Sequence, residues 1–148
     1  MQDLFDPADA RRLLDRLTRL DARQRPLWGR MSAAQMLLHC QDPFDVYFGE
    51  RKSRQSFAGL LFGRLAKKRF FSPEPWPPNL PGAEGPRLPG EPSFENERAR
   101  LATQIYRFSE SSLLLHPPQH PFFGRLTAQE WSRFTYRHVD YHLRQFGA

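Results

Sequence analysis

Three features of this 148-residue chain predict an all-α helical bundle. Apolar residues recur at helical spacing, cap signals open those runs, and no strand-like alternation competes with them. The length falls within the range of one domain, and 39% hydrophobic residues suffice for one packed core. A single domain over residues 1–148 is therefore expected, with no internal repeat.

Asp6-Pro7 reads as an N-cap followed by proline at the first helical position. Leu13, Leu14, Leu17 and Leu20 then recur at helical spacing to about Asp21. Pro26 and Gly29 break the chain. Ser32-Ala33-Ala34-Gln35 is a capping-box pattern that opens a second helix carrying Met36, Leu37 and His39. That helix passes Pro43 with a kink or local break and ends near Gly49. Phe57 to about Phe71 suggests a short basic amphipathic helix around Leu60, Leu61, Arg64, Leu65 and Lys68.

Prolines crowd the stretch from Pro73 to Pro118, and Ser72 to Pro92 is expected to be irregular, with no helix longer than two turns. Loops of that length are often functional, and one packed over the bundle mouth would be a candidate lid. Ser93 is a plausible cap for a helix to about Ser112 with Leu101, Ile105 and Phe108 on one stripe. Thr127-Ala128-Gln129-Glu130 is a second capping box, whose helix continues to Phe146 and stops at Gly147. Four main helices plus a short basic one make up the bundle.

The net charge of +6 and a pI near 10.1 raise the question of nucleic acid. The arginines, however, are scattered from Arg11 to Arg144 and interleaved with Asp and Glu, which fits a solvated surface better than a phosphate track. Only Arg64 to Arg69 forms a dense basic run, read as the exposed face of a basic helix, with contact to an anionic partner as the alternative. Nucleic acid is not expected as a partner. No stretch approaches the roughly 20 apolar residues of a membrane span, and the first residues lack a secretory pattern. Cys40 is the single cysteine, so an intramolecular disulfide and a multi-cysteine zinc site are excluded. These points lead to the expectation of a cytoplasmic protein without membrane partners.

His138 and His142 are four residues apart, so at about 100° per residue they lie roughly 40° apart on one helical face. Trp131, Phe134, Thr135, Tyr141 and Gln145 point the same way, which turns both histidines toward the core. Such a pair can be no more than two hydrogen-bonded core residues. His39, also on an inward face, adds a third imidazole. Burying several imidazoles costs desolvation unless each nitrogen finds a partner, and one borderline metal ion satisfies three at once. His39, His138 and His142 are therefore the candidate metal ligands.

Asp42, one turn beyond His39, is read as a surface residue or a cap associated with Pro43, with an acceptor behind a ligand or a fourth metal ligand as the alternative. Asp140 should face away and pair with an arginine. Cys40 should miss the ion and pack as a small hydrophobe. His116 and His120 flank prolines and are expected to shape a turn, with the rim of the site as the other option. Trp28, Phe122, Phe123 and Trp131 are read as packing residues. No phosphate loop or nucleophile elbow is present, and no catalytic side chain beyond the ligands is assigned.

One histidine in the second helix and a His-x-x-x-His pair in the last resemble the DinB-like, metal-dependent hydrolase-like four-helix bundles, named from DNA-damage-inducible proteins. Met31 to Cys40 and His138 to Gly147 carry the likeness. Pro26 to Met31 and His120 to Thr127 look like one uncharacterised branch of that superfamily, and roughly residues 50–92 stay outside it. The resemblance implies an up-down-down-up four-helix bundle with a long crossover. It also implies a three-histidine site for zinc, nickel or another divalent ion, and a small-molecule or thiol substrate, as in a hydrolase or thiol transferase. The other reading is a non-catalytic module that forms a homodimer or docks a partner through the basic segment, with or without metal.

Overall fold

The computed structural model describes residues 2–80, 90–111 and 116–148. Among these residues six helices form: α1 Pro7–Leu17, α2 Ala33–His39, α3 Asp42–Tyr47, α4 Phe57–Phe70, α5 Phe94–Ser109 and α6 Ala128–Gln145. The fold is all-α. α1, the α2–α3 pair, α5 and α6 are the four arms of a bundle, and the long crossover from α3 to α5 carries α4.

Local chemistry sets most of the boundaries. The Asp6 carboxylate accepts from Ala8 N–H at 2.8 Å, with Pro7 in the first turn where its missing donor is harmless. α1 stops at Leu17, four residues short of the expected Asp21. Arg19 N–H and Leu20 N–H turn back to the carbonyls of Arg16 and Leu17, yet Leu20 remains buried. Both capping boxes form, Ser32 with Gln35 and Thr127 with Glu130. α6 ends in a Schellman motif. Gly147 at φ +70° lets its N–H bond the Arg144 carbonyl and the Ala148 N–H bond the Leu143 carbonyl, both at 3.0 Å.

The second arm breaks as Pro43 requires. Proline has no N–H for the His39 carbonyl four residues earlier, so α2 closes at His39 and α3 restarts at Asp42 with Pro43 in its first turn. This leaves His39 as the last residue of α2.

The core lies between α1, α2, α5 and α6. Leu13, Leu17, Met36, Leu37, Leu101, Ile105, Phe108, Val139 and Leu143 are buried at helical spacing on their respective helices. Charges interleave on the outside: Arg16 pairs with Asp140 at 2.6 Å, Arg51 with Asp42 at 2.7 Å and Arg100 with Asp45 at 3.3 Å. Asp140 therefore faces away from the histidines, as its register predicts. No helix among the described residues is long and apolar enough to cross a membrane.

α4 sits apart from the other helices. It packs its buried Gly59 and Gly63 directly on the backbone of Phe122, where a Cβ at either position would collide with the Phe122 carbonyl. Its outer side leaves Phe57, Leu60, Leu61, Phe62 and Leu65 largely exposed. Residues 72–80 and 90–92 contain no helix, as expected, while 81–89 lie outside the described residues. The start of that segment packs over the mouth of the bundle. Trp76 is buried against Phe70 and α6, its indole N–H donates to the Phe70 carbonyl at 3.0 Å, and Arg137 donates to the carbonyls of Ser72 and Glu74. α5 ends at Ser109. The expected end at Ser112 lies outside the described residues.

Candidate metal centre

α6 is buried along the face that holds Trp131, Thr135, Tyr141, His142 and Gln145. That face brings His138 and His142 to the C-terminal end of α2, where His39 waits. The three rings form a near-equilateral triangle: centroids are 4.9 Å apart for His39–His138, 4.8 Å for His39–His142 and 4.8 Å for His138–His142. Their planes are steeply inclined to one another, so nitrogens rather than faces meet. One ligating nitrogen from each histidine lies within 4.8 Å of the other two. His138 Nε2 and His39 Nε2 are 3.1 Å apart.

That 3.1 Å separation holds only if something positive lies between the two lone pairs. In the metal-free protein it is a proton, with one Nε2–H donating to the other Nε2. Two nitrogens bound to one cation at about 2.0–2.1 Å in tetrahedral geometry sit a little over 3 Å apart, so an ion can replace that proton with little movement. The Nδ1 atoms of His39 and His138 are buried and bond nothing among the described residues. They are free to carry the protons that Nε2 ligation would displace. Both observations fit a cation.

Electrostatics point the same way. Burial, with a further contribution from the Arg51 charge, pushes His39 down to about 4. Burial first and His39 second push His142 to about 3, against the hydrogen bond it donates to Gln145. Burial followed by the neighbouring imidazoles holds His138 well below the ordinary value. All three are neutral at pH 7, the form that ligates.

Two neighbours orient the ligands. The His142 Nδ1–H donates to Gln145 Oε1 at 2.8 Å, and the Gln145 amide is fixed in turn because its Nε2–H donates to the Trp28 carbonyl at 2.7 Å. The proton of His142 is thereby held on Nδ1 and its Nε2 lone pair is presented. Sequence reasoning placed Gln145 on this face without giving it a role. Its position three residues after His142 was the available signal. Asp42 lies 3.7 Å from His39 Nδ1 and is held by Arg51. It stands on the edge of His39 opposite the Nε2 that meets His138, so it backs the histidine rather than joining the triangle. It makes no side-chain cap bond, because Gln41 occupies the cap position of α3. Cys40 is fully buried, with Sγ 3.6 Å from Met36 Sδ and away from the site.

The triangle opens on a cavity of about 560 Å³ whose walls include Phe70, Trp76, Leu80, Phe122, Phe123 and Phe134. Phe122 and Phe123 are thus wall residues as well as packing residues. Trp131 is fully buried and purely structural, its indole N–H donating to the Pro118 carbonyl at 3.1 Å. His120 does shape a turn, its backbone bridging Gly124, and it also lines the cavity. His116 is exposed.

Among curated proteins and solved structures no match to the chain is found. A family model described as the DinB superfamily matches residues 4–146, nearly the whole chain including the α4 crossover that the sequence resemblance left out. With that match, the helical bundle and the three-histidine cluster in place, the chain belongs to the DinB superfamily.

Proposed function

We propose that the chain is a metal-dependent enzyme in which His39, His138 and His142 hold one divalent ion, zinc or nickel. The observation that carries this reading is the convergence of three neutral imidazoles, His142 buried and His39 and His138 half-buried, with two Nε2 atoms 3.1 Å apart. Three nitrogen ligands leave a coordination position free, which suits hydrolysis or thiol transfer. A bound ion there would lower the pKa of a water or thiol and polarise a carbonyl. The chain's own contribution is to keep the ligands neutral, to orient His142 through Gln145, and to exclude water with the apolar cavity wall.

The test is metal content and affinity of protein purified without an affinity tag at neutral pH, followed by the visible spectrum of a cobalt-loaded sample. One equivalent of ion per chain and a spectrum of low coordination number support the reading. Stoichiometry below one tenth after incubation with zinc, nickel and cobalt would end it.

A non-catalytic docking module remains the second reading, and one observation favours it: the exposed apolar side of α4, with Phe57 and Leu65 more than three-quarters exposed. Sedimentation across a range of concentrations tests for a homodimer built on that side.

A further inference from the structure

The cavity beside the histidine triangle has a composition that does not follow from the rest of the chain. The protein carries 22 lysines and arginines and 16 acids, yet among the described residues none of either kind lines this cavity. Nearby cations are committed elsewhere. Arg137 lies against Trp76 while it bonds the carbonyls of Ser72 and Glu74, and Lys67 pairs with Glu130 at 2.7 Å. A ligand carboxylate or ammonium held against this wall, away from the histidine triangle, would lose its hydration without gaining a charged partner. The wall is aromatic and is drawn from α4, the 72–80 segment, the 121–123 turn and α6. Its volume suits a small ligand of one or two rings.

Among the described residues, one polar side chain besides the three histidines, Tyr141 and Trp76, whose indole N–H is already given to the Phe70 carbonyl, reaches this wall. His120 Nδ1 accepts two backbone donors, Phe122 N–H and Phe123 N–H, each at 3.1 Å. With that nitrogen occupied as an acceptor, the proton must sit on Nε2, on the opposite side of the ring. The ring is clamped by stacking on Phe123 and by the edge of Phe134, both with centroids at 4.6 Å. Burial also disfavours its charged form. No acceptor among the described residues meets Nε2–H. His120 therefore brings a fixed neutral donor to a wall that is mostly aromatic between Tyr141 and the histidine triangle.

We propose that the cavity binds an uncharged aromatic or branched apolar molecule, its metal-facing atom toward the histidine triangle, and that His120 Nε2–H hydrogen-bonds an acceptor atom on it. The inference deepens the metal-enzyme reading by naming its substrate class, and it excludes charged thiols of the glutathione type. His120 is assigned as a positioning residue for that ligand.

The probes are toluene, N-methylbenzamide, benzyl mercaptan and glutathione, and the readouts are Trp fluorescence and calorimetry on metal-free and cobalt-loaded protein. Metal-free protein should bind toluene and N-methylbenzamide. Cobalt-loaded protein should bind benzyl mercaptan at least about tenfold more tightly than glutathione. His120→Asn can still accept the turn amides through its side-chain oxygen, and its own N–H then falls short of the position that the ring Nε2–H occupied. It should weaken N-methylbenzamide about fivefold to tenfold, the loss of one buried hydrogen bond, while toluene changes less than about twofold.

Ala66→Trp, which fills the cavity from α4, should abolish binding of both neutral probes and keep cobalt affinity. This variant carries the test if the His120 variant does not fold. Glutathione binding as tightly as benzyl mercaptan, no binding of either neutral probe, or equal losses for toluene and amide in the His120 variant would overturn the proposal. Failure to bind cobalt would sink the metal reading alone, because the metal-free arm still decides the pocket.

Discussion

α6 and α4 are both regular helices of similar length put to opposite uses. α6 spends its inward face on Trp131, Phe134, Tyr141 and two histidines, and nearly every residue on that face is buried. α4 buries only glycines in full, Gly59 and Gly63, turns Phe70 toward the cavity and leaves Phe57, Leu60, Leu61, Phe62 and Leu65 outside. One helix is held by side-chain packing and the other by backbone approach. The site accordingly has a rigid floor, made by α2 and α6, and a wall contributed by α4 and the 72–80 segment, which few helix contacts hold. Changes in the floor should alter metal binding, and changes in α4 should alter the wall or nothing.

The largest expected effect comes from the floor. His142→Ala removes one of three ligands and should weaken zinc or cobalt binding about 10²- to 10³-fold, since structural zinc sites gain roughly 10–16 kcal/mol shared among their ligands. The helical circular dichroism should persist, because apolar burial holds α6 in place. Calorimetry with zinc measures the first quantity. A retained affinity would break the distinction between floor and wall at its centre.

Acid should expose the same floor in the metal-free protein. An unfolded histidine titrates near 6.5, whereas His39 in the fold titrates at about 4 and His142 at about 3. Between those values the unfolded chain binds more protons, so folding stability falls as pH drops through 6.5 and levels off below the folded values. For His39 alone the difference corresponds to about 3 kcal/mol. Urea midpoints at pH 7.5 and 5 should therefore fall steeply, and less so in His39→Phe. α4 holds no histidine and contributes nothing to this slope.

How much of this was legible in sequence divides along the same line. The floor was written locally: Asp6-Pro7, Ser32 with Gln35, Thr127 with Glu130 and Gly147 each mark a helix end by their own chemistry, and the spacing of His138 and His142 gives a shared face. The break at Pro43 was equally local. Less legible were features fixed by remote partners. Gln145 orients His142 because the Trp28 carbonyl, 117 residues away, fixes its amide. His120 became a cavity donor because its turn folds back on its own imidazole. Trp76 reached the wall from a segment without periodicity. The end of α1 at Leu17 came from two tight turns that still bury Leu20, a pattern that continued helical spacing mimics.

The glycines of α4 provide the next test. Gly63→Ala would drive its Cβ into the Phe122 carbonyl, a backbone atom that cannot swing away. Overpacking of this kind costs about 1–3 kcal/mol. Because the strain falls on the wall, it should appear as weaker toluene binding and faster hydrogen exchange in α4, with zinc affinity unchanged. Gln145→Leu is expected to do the reverse on a smaller scale. It frees the tautomer of His142 and should lower zinc affinity about tenfold, in the range known for residues that orient metal-bound histidines, while toluene binding remains.

The smallest expected effect sharpens the comparison most. Leu61 is 59% exposed on the outer side of α4, and that side meets nothing else in the described chain. Leucine to glutamate there removes no buried contact. Stability should move by less than about 0.5 kcal/mol, as for surface positions generally, and zinc affinity by less than twofold. The same substitution made at Leu143 of α6, which is fully buried, should prevent folding, since a charge would enter the core unpaired. If Leu61→Glu instead cost more than about 1 kcal/mol, and the loss grew with protein concentration, the outer face of α4 would be covered in solution by a second copy of the chain. Thermal melts of both variants at two protein concentrations separate the outcomes: a concentration-independent, near-native melt for Leu61→Glu means that α4 bears only on the cavity it walls.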